Sequence, residues 1–376
     1  MPGENHPLSA LEKGNPKGYI SRLQFLLHEV EYRHIPSSPP IELLRSHNSW
    51  THDTLGPMTP WTKCHLDAVA KMSLDLPYKA YPYADTEVIA VIGKLTALVL
   101  YIDDSLETAD GIVYDEIGSF AYHVFMGKPQ PFGILNLYHV CIKELLHLFE
   151  GDTALRGLAV WGWINYIDGC LLEKRLLTTD TDNLSKRRCN GISNAAQETS
   201  PKAGINFPLW MRNKTAIGES FIAPIFHSTE EQGLPLSRYL RALPDISYFI
   251  GVMNDILSFH KEELAGESVN MIHLQTHSFK ESRGSGPSGE WTALDTFNHL
   301  CNEVRDAIYR INEILRVQDC EKIVRDGSNG KSMGLSEVDV AIALRWRKFK
   351  DGYISWHLET PRYKLDFIRP EQFQTD

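Results

Sequence analysis

The run VIAVIGKLTALVLYI, Val88 to Ile102, passes directly into DDSLE, Asp103 to Glu107. An apolar run of this length reads as a helix, and Lys94 interrupts it short of the ~20 residues that a membrane span needs. The helix therefore delivers clustered carboxylates at its C-terminal end. Asp103 and Glu107 are i and i+4 and share a face. Adjacent carboxylates repel one another, and the helix dipole disfavours anions at that end, so the cluster is costly unless a cation neutralises it. Hard oxygen ligands suit Mg²⁺, which takes one or two carboxylates together with waters and substrate phosphates. A solvated acidic helix end is the competing interpretation, and this motif alone does not separate the two.

Outward from that run the same periodicity continues. Ile20, Leu23, Leu26, Leu27 and Val30 recur at helical spacing, as do Leu135, Leu137, Val140, Leu145 and Leu148. Strand-like alternation bounded by hairpin dipeptides is hard to find. Short breaks rich in Pro or Gly separate the segments: Pro36 to Pro40, Gly127 to Gly133, Gly151-Asp152 and Gly233 to Pro235. The pattern predicts an all-α chain. Two stretches, Thr178 to Asn206 and Lys280 to Gly289, are polar and poor in large apolar groups, and predict mobile loops. No repeat of 20 to 50 residues and no true linker is evident. The expected organisation is one domain: residues 1–60 as an irregular or helical arm packed on the bundle, and 61–376 as the bundle around an internal cavity.

Composition excludes several classes. Of 376 residues, 43% are hydrophobic and 10% aromatic, which is enough to build a large core. The formal net charge of −10 repels phosphate backbones, so a nucleic-acid groove is not expected, and any phosphate must be handled locally. The six cysteines, Cys64, Cys141, Cys170, Cys189, Cys301 and Cys320, include no CxxC pair and read as free thiols in a reducing compartment. The start MPGENHPLSALEKGNPKG lacks a basic flank and apolar core, so no secretory signal and a cytoplasmic location are expected. No HExxH pair, P-loop or G-x-S-x-G occurs. His147, His260 and His357 lie near apolar faces and read as satisfied or half-buried histidines.

A second motif is more specific. In MNDILSFHKE, Met253 to Glu262, the residues Asn254, Ser258 and Glu262 are i, i+4 and i+8. A carboxamide oxygen, a hydroxyl and a carboxylate thus stack on one helical face, three donors that can chelate one divalent ion and leave sites open for ligand phosphates. Lys261 adds a cation beside them.

With these residues in view the chain resembles the class I terpene cyclases, and within them the fungal trichodiene synthase group. YIDDSLE is similar to the family's aspartate-rich motif, and NDILSFHKE to its second metal motif with the following Lys-Glu. FPLWMRNKTAIG, Phe207 to Gly218, resembles the segment that carries a diphosphate-sensing arginine, here Arg212, and WHLETPRYKL, Trp356 to Leu365, resembles the C-terminal basic motif. The resemblance covers roughly residues 70 to 366.

It implies a class I terpenoid synthase bundle around a central apolar cavity that binds farnesyl diphosphate with three Mg²⁺. It further implies metal-triggered ionisation, a cyclising sesquiterpene carbocation cascade, and a homodimer. Carried over residue by residue, Asp103 matches a metal ligand and Asp104 a neighbour that pairs with Arg362. Asn254, Ser258 and Glu262 match the second metal site, with Glu107 a further candidate ligand in the first motif. Arg212, Lys261, Arg362 and Tyr363 match positions that hydrogen-bond diphosphate. The sequence departs from the group where Leu106, Glu107 and Thr108 replace further aspartates, at Thr360-Pro361, and at Lys364, which replaces an arginine. An allylic cation needs a water-poor cavity with aromatic faces. Phe120, Trp161, Trp163, Tyr166, Phe249 and Trp356 are the candidates to line it. The same chemistry leaves other readings open: a cyclase for a C10 or C20 prenyl diphosphate, a chain-lengthening prenyltransferase, or a helical scaffold without activity.

Overall fold

A computed structural model describes residues 16–107, 117–131, 133–189, 204–228, 233–267, 270–283, 290–326 and 334–373. Among the described residues every regular element is helical. In chain order the α-helices are α1 (Pro16–Glu29), α2 (Ile41–Trp50), α3 (Lys63–Ala80), α4 (Thr86–Glu107), α5 (Phe120–Phe125), α6 (Gly133–Leu148) and α7 (Leu155–Cys189). They continue as α8 (Phe207–Thr215), α9 (Gly218–Phe226), α10 (Leu243–Ala265), α11 (Met271–Arg283), α12 (Ala293–Ile314), α13 (Val317–Asp326) and α14 (Glu337–Glu359). No described helix is long and apolar enough to cross a membrane.

The helix ends follow from local chemistry. Thr292 and Ser336 open α12 and α14 as capping boxes, each exchanging bonds with an aspartate three residues on, Asp295 and Asp339. Gly266, at φ +74°, closes α10 in the left-handed region, a conformation strained for residues with a side chain. Between α8 and α9 the chain breaks at Ile217, whose φ of +57° is costly for a β-branched residue.

Helix α4 packs against α3 and α6, α3 against α14, α7 against α8 and α9, and α10 against α9 and α12. The buried apolar residues form one continuous cluster from Tyr19 to Phe373. Helix α1 is part of it: Leu23, Leu26 and Leu27 are fully buried, and the following Tyr32 hydroxyl lies 2.9 Å from Ser355 Oγ on α14. The first fifteen residues of the expected N-terminal arm lie outside the described part.

Two loop expectations need correction. Helix α7 runs on through the first part of Thr178 to Asn206, as far as Cys189, and α11 extends to Arg283 within the second polar stretch. Polarity is not a helix breaker; from Cys170 to Asn190 the chain has neither Pro nor Gly and is rich in Leu, Lys and Arg. Residues 190–203 and 284–289 lie outside the described part.

Candidate active site

Helix periodicity brings distant stretches to one cavity of about 340 Å³, within the size range of small-ligand sites. Helix α4 contributes Thr96, Val99, Leu100 and Asp103; α7 contributes Trp163, Tyr166, Cys170 and Glu173; α10 contributes Asn254, Asp255, Ser258, Lys261 and Glu262. Steps of three and four residues along each helix mark the face turned inward. Met211, Arg212, Ile217 and Phe221 form another wall, and Tyr353, Trp356, Arg362 and Tyr363 close it from the C-terminal side.

At the polar end, Arg362 bridges both aspartates of α4, with Nη1 2.7 Å from Asp104 and Nη2 2.8 Å from Asp103. The sequence paired Arg362 with Asp104 alone. Opposite, Ser258 Oγ donates to Glu262 Oε1 at 2.5 Å. Arg212 lies along α10: Nη2 donates to Asn254 Oδ1 at 2.7 Å, Nε sits 3.0 Å from Asp255 Oδ2, and both nitrogens reach the Gly251 carbonyl at 3.2 and 3.1 Å. A Cβ on Gly251 would stand 3.2 Å from Ala216 Cβ, a tight contact, and 3.5 Å from Arg212 Cγ, an ordinary one, so the glycine serves the close approach of α10 to the chain at Ala216. Lys261 Nζ is 3.7 Å from Glu267 Oε1. Glu107 ends α4, and its side chain lies outside the described part of the structure.

Three carboxyls in this wall are pushed up to about 7: Glu173, Asp255 and Glu262. Burial is the largest cause in each. Arg212 pulls Glu173 and Asp255 back toward the charged form, as the Ser258 hydroxyl does for Glu262. His357 is held near 3 by burial. Among the described residues no group of three His, Cys, Asp or Glu side chains forms a metal site by itself. The oxygen set on α10 is of a different kind, one carboxylate with an amide and a hydroxyl. Its chemistry fits a hard divalent ion, because such an ion offsets the cost of burying ionised Glu262.

The aromatic expectations divide. Trp163, Tyr166 and Trp356 line the cavity, and the Trp356 indole is anchored by its bond to the Met72 carbonyl at 2.8 Å. Phe120, Trp161 and Phe249 do not. Phe120 is buried against Tyr138 and His139 between α5 and α6. Trp161, two residues from Trp163, falls on the outer face of α7, 43% exposed and packed on Phe125. Phe249 precedes Asn254 by five residues, about 140° around the helix, and packs behind the wall on Trp346, Phe349 and Tyr353. Phe221 and Tyr353 take the cavity positions instead, together with two carboxyls the sequence reading missed. One of these, Asp255, sits inside the second motif, and the other, Glu173, stands on α7 directly before Lys174 and Arg175.

No model of a known protein family matches the chain. Curated relatives do. Terpene synthase BipA of Cochliobolus sativus is 25% identical over 296 residues, 78% of this chain and 74% of that protein. Longiborneol synthase CLM1 of Gibberella zeae is 27% identical over 284 residues, 76% and 68% of the two chains. Among solved structures, the linalool/nerolidol synthase from Streptomyces clavuligerus superposes with a TM-score of 0.56 at 16% identity, covering 87% of this chain and 98% of that one. That likeness carries the fold, an all-helical class I terpenoid synthase bundle.

Proposed function

We infer that this chain, related in sequence to the fungal terpene synthases and built on the class I terpenoid synthase fold, is a sesquiterpene synthase of the trichodiene synthase group. The chain is a terpene cyclase, a lyase acting on a prenyl diphosphate. Its proposed substrate is farnesyl diphosphate, its proposed cofactor Mg²⁺, with three ions accompanying the bound diphosphate, and its proposed state a homodimer. One observation carries the reading. The oxygen donors Asn254, Ser258 and Glu262, the aspartate Asp103 and the cations Arg212, Lys261 and Arg362 all line one cavity, together with the aromatic side chains of Trp163, Tyr166, Phe221, Tyr353 and Trp356.

In this reading Asp103, with Glu107 as a candidate beside it, would hold metal on one side, and Asn254, Ser258 and Glu262 on the other. Bound Mg²⁺ supplies positive charge to the diphosphate oxygens and makes diphosphate a better leaving group. Arg212, Lys261, Arg362 and the Tyr363 hydroxyl donate to the same oxygens. The allylic C–O bond then breaks heterolytically: the electron pair leaves with the diphosphate and the cation stays on carbon. Trp163, Tyr166, Phe221, Tyr353 and Trp356 present aromatic surface to that cation and exclude water from it. Loss of a proton, or capture of one water followed by loss of a proton, closes the balance.

The test is gas chromatography with mass spectrometry on protein incubated with geranyl, farnesyl and geranylgeranyl diphosphates, each with and without Mg²⁺ and with added isopentenyl diphosphate. A Mg²⁺-dependent C15 hydrocarbon or alcohol is expected from farnesyl diphosphate. Products of another chain length overturn the substrate, elongated diphosphates overturn the cyclase reading, and activity in excess chelator overturns the metal.

A further inference from the structure

His357, on α14, is fully buried, and both of its ring nitrogens have partners. Nε2 lies 3.0 Å from Asn254 Nδ2, and Nδ1 lies 2.8 Å from the Tyr353 carbonyl oxygen. The chemistry of the neighbours fixes every proton along this chain of contacts. A guanidinium can only donate, so the Asn254 atom that meets Arg212 Nη2 at 2.7 Å is the amide oxygen. The amide NH₂ is then the end that faces His357, and because it donates, Nε2 must carry a lone pair. The Tyr353 carbonyl can only accept, so the proton sits on Nδ1. A neutral imidazole protonated at Nδ1 is the one form that satisfies both contacts.

The ring has little freedom to leave this pose. It packs on Tyr353, Trp356 and Tyr363, with centroids 4.6, 4.7 and 4.5 Å away. Two of these, Trp356 and Tyr363, belong to the C-terminal motif, so the ring ties that motif to the amide of Asn254 on α10.

We propose that His357 is a positioning residue for the oxygen set on α10: by accepting from the Asn254 amide nitrogen it holds the amide oxygen turned to the cavity. A carboxamide has one ligating end. Without an acceptor at Nε2, a half-turn of the terminal torsion presents NH₂, which cannot bind a cation. Arg212 holds the same oxygen from the other side, so His357 matters most once a cation or a diphosphate draws Arg212 away. The inference rests on the reading of Asn254 as a metal ligand.

Partners that orient a metal ligand are worth about 10–100-fold in metal affinity. The test compares wild type, His357→Phe, which keeps a ring but no acceptor, and His357→Gln, which returns an acceptor near the Nε2 position. Calorimetric titration with Mg²⁺ and inorganic diphosphate is the readout, alongside the rise in unfolding temperature on adding both. We expect His357→Phe to bind about 10-fold or more weakly and His357→Gln to recover most of the loss. In an Asn254→Asp background, where both ligand oxygens are alike, the His357→Phe penalty should vanish. Wild-type affinity in a folded His357→Phe protein overturns the inference, as does equal impairment of the Phe and Gln variants, which would mean packing alone. Nitrogen NMR of the wild-type histidines needs no variant to fold: a proton on Nε2 of His357 also overturns it. No metal-dependent binding by the wild-type protein would instead sink the functional reading beneath it, and this inference with it.

Discussion

Replacing Arg362 by Met should change two affinities in opposite directions. The guanidinium spans the two aspartates at the end of α4, 2.7 Å from Asp104 and 2.8 Å from Asp103, with its own side chain 17% exposed and theirs 33% and 50%. Charge-assisted bonds are worth about 1.5–3 kcal/mol each when buried. Half-exposed carboxylates discount that strongly, so the pair together stabilises the fold by about 2 kcal/mol. At ~2.1 cal/mol/K per residue, the unfolding entropy of a chain this long turns 2 kcal/mol into a fall in Tm of about 2–3 °C. The larger consequence lies in binding. A positive charge ~5 Å from a divalent cation at Asp103 opposes it by about 1.7 kcal/mol in a well-solvated site, so its removal should tighten Mg²⁺ binding, without diphosphate, by about 10-fold or more. The same removal takes a donor from the diphosphate, so binding of Mg²⁺ with inorganic diphosphate should weaken by about 10-fold or more. Two calorimetric titrations, one with each ligand set, read both numbers on one preparation. A folded Arg362→Met protein that binds Mg²⁺ alone no better than wild type would refute the reasoning, because Arg362 and the cation would then not share Asp103.

Phe221→Ala should alter the ratio of products seen by gas chromatography, since Phe221 lines the cavity, whereas Phe249→Ala should lower stability by about 3–5 kcal/mol and leave the ratio unchanged. The opposite assignment would mean that the wall has been misplaced. The metal-free protein should lose stability as pH rises from about 4.5 to about 7: Glu173, Asp255 and Glu262 keep their protons to about 7 when folded, against ordinary values of 4.5, 3.8 and 4.5, so over that range the folded state binds more protons than the unfolded one. Thermal melts in chelator should give a lower Tm at pH 8 than at pH 5.5, a difference narrowed by Mg²⁺ with diphosphate; a Tm that rises over this interval contradicts the burial of these acids. Inorganic diphosphate without a divalent ion should produce no measurable heat in calorimetry, and micromolar binding in its absence would remove the need for a metal.

Much of the site was legible because helical periodicity is local. Asn254, Ser258 and Glu262 needed only the four-residue step within one helix to be placed on a single face, and that face lines the cavity. The same rule, applied more carefully, separates Trp163 from Trp161 and Asn254 from Phe249. Which of two faces points inward is not in the period, however; it is set by which helices pack on which. Glu173 and Tyr353 belong to the wall because α7 and α14 flank α9, a fact carried by no short stretch of either helix. His357 escaped for a related reason. A lone histidine on an apolar face is usually a satisfied core residue, and its role becomes visible only once Asn254, 103 residues earlier, is seen against its ring. The long run of α7 beyond Thr178 was misjudged because its composition is that of a loop, while its lack of Pro and Gly is that of a helix.

Charge bookkeeping within the cavity favours a divalent ion independently of any motif. The ionisable groups on its wall are four cations, Lys174, Arg212, Lys261 and Arg362, against five carboxyls, Asp103, Glu173, Asp255, Glu262 and Glu267. With all of them ionised the wall is net negative, and three of the cations are already committed, Arg212 to Asp255, Lys261 to Glu267 and Arg362 to both aspartates of α4. A diphosphate carrying about three negative charges cannot be drawn into such a place by the side chains alone, and the protein's overall charge of −10 repels it further. Two escapes are available. Protonating the buried carboxyls would lower the repulsion, but these are held only to about 7 and would add no donors suited to a polyanion. Divalent ions would do more: each would add two positive charges and keep the carboxylates ionised as ligands, leaving Arg212 and Arg362 to serve the incoming oxygens. The carboxylates that make the cavity hostile to diphosphate are thus the groups through which a metal would make it receptive, and ionisation would then require both ligands together.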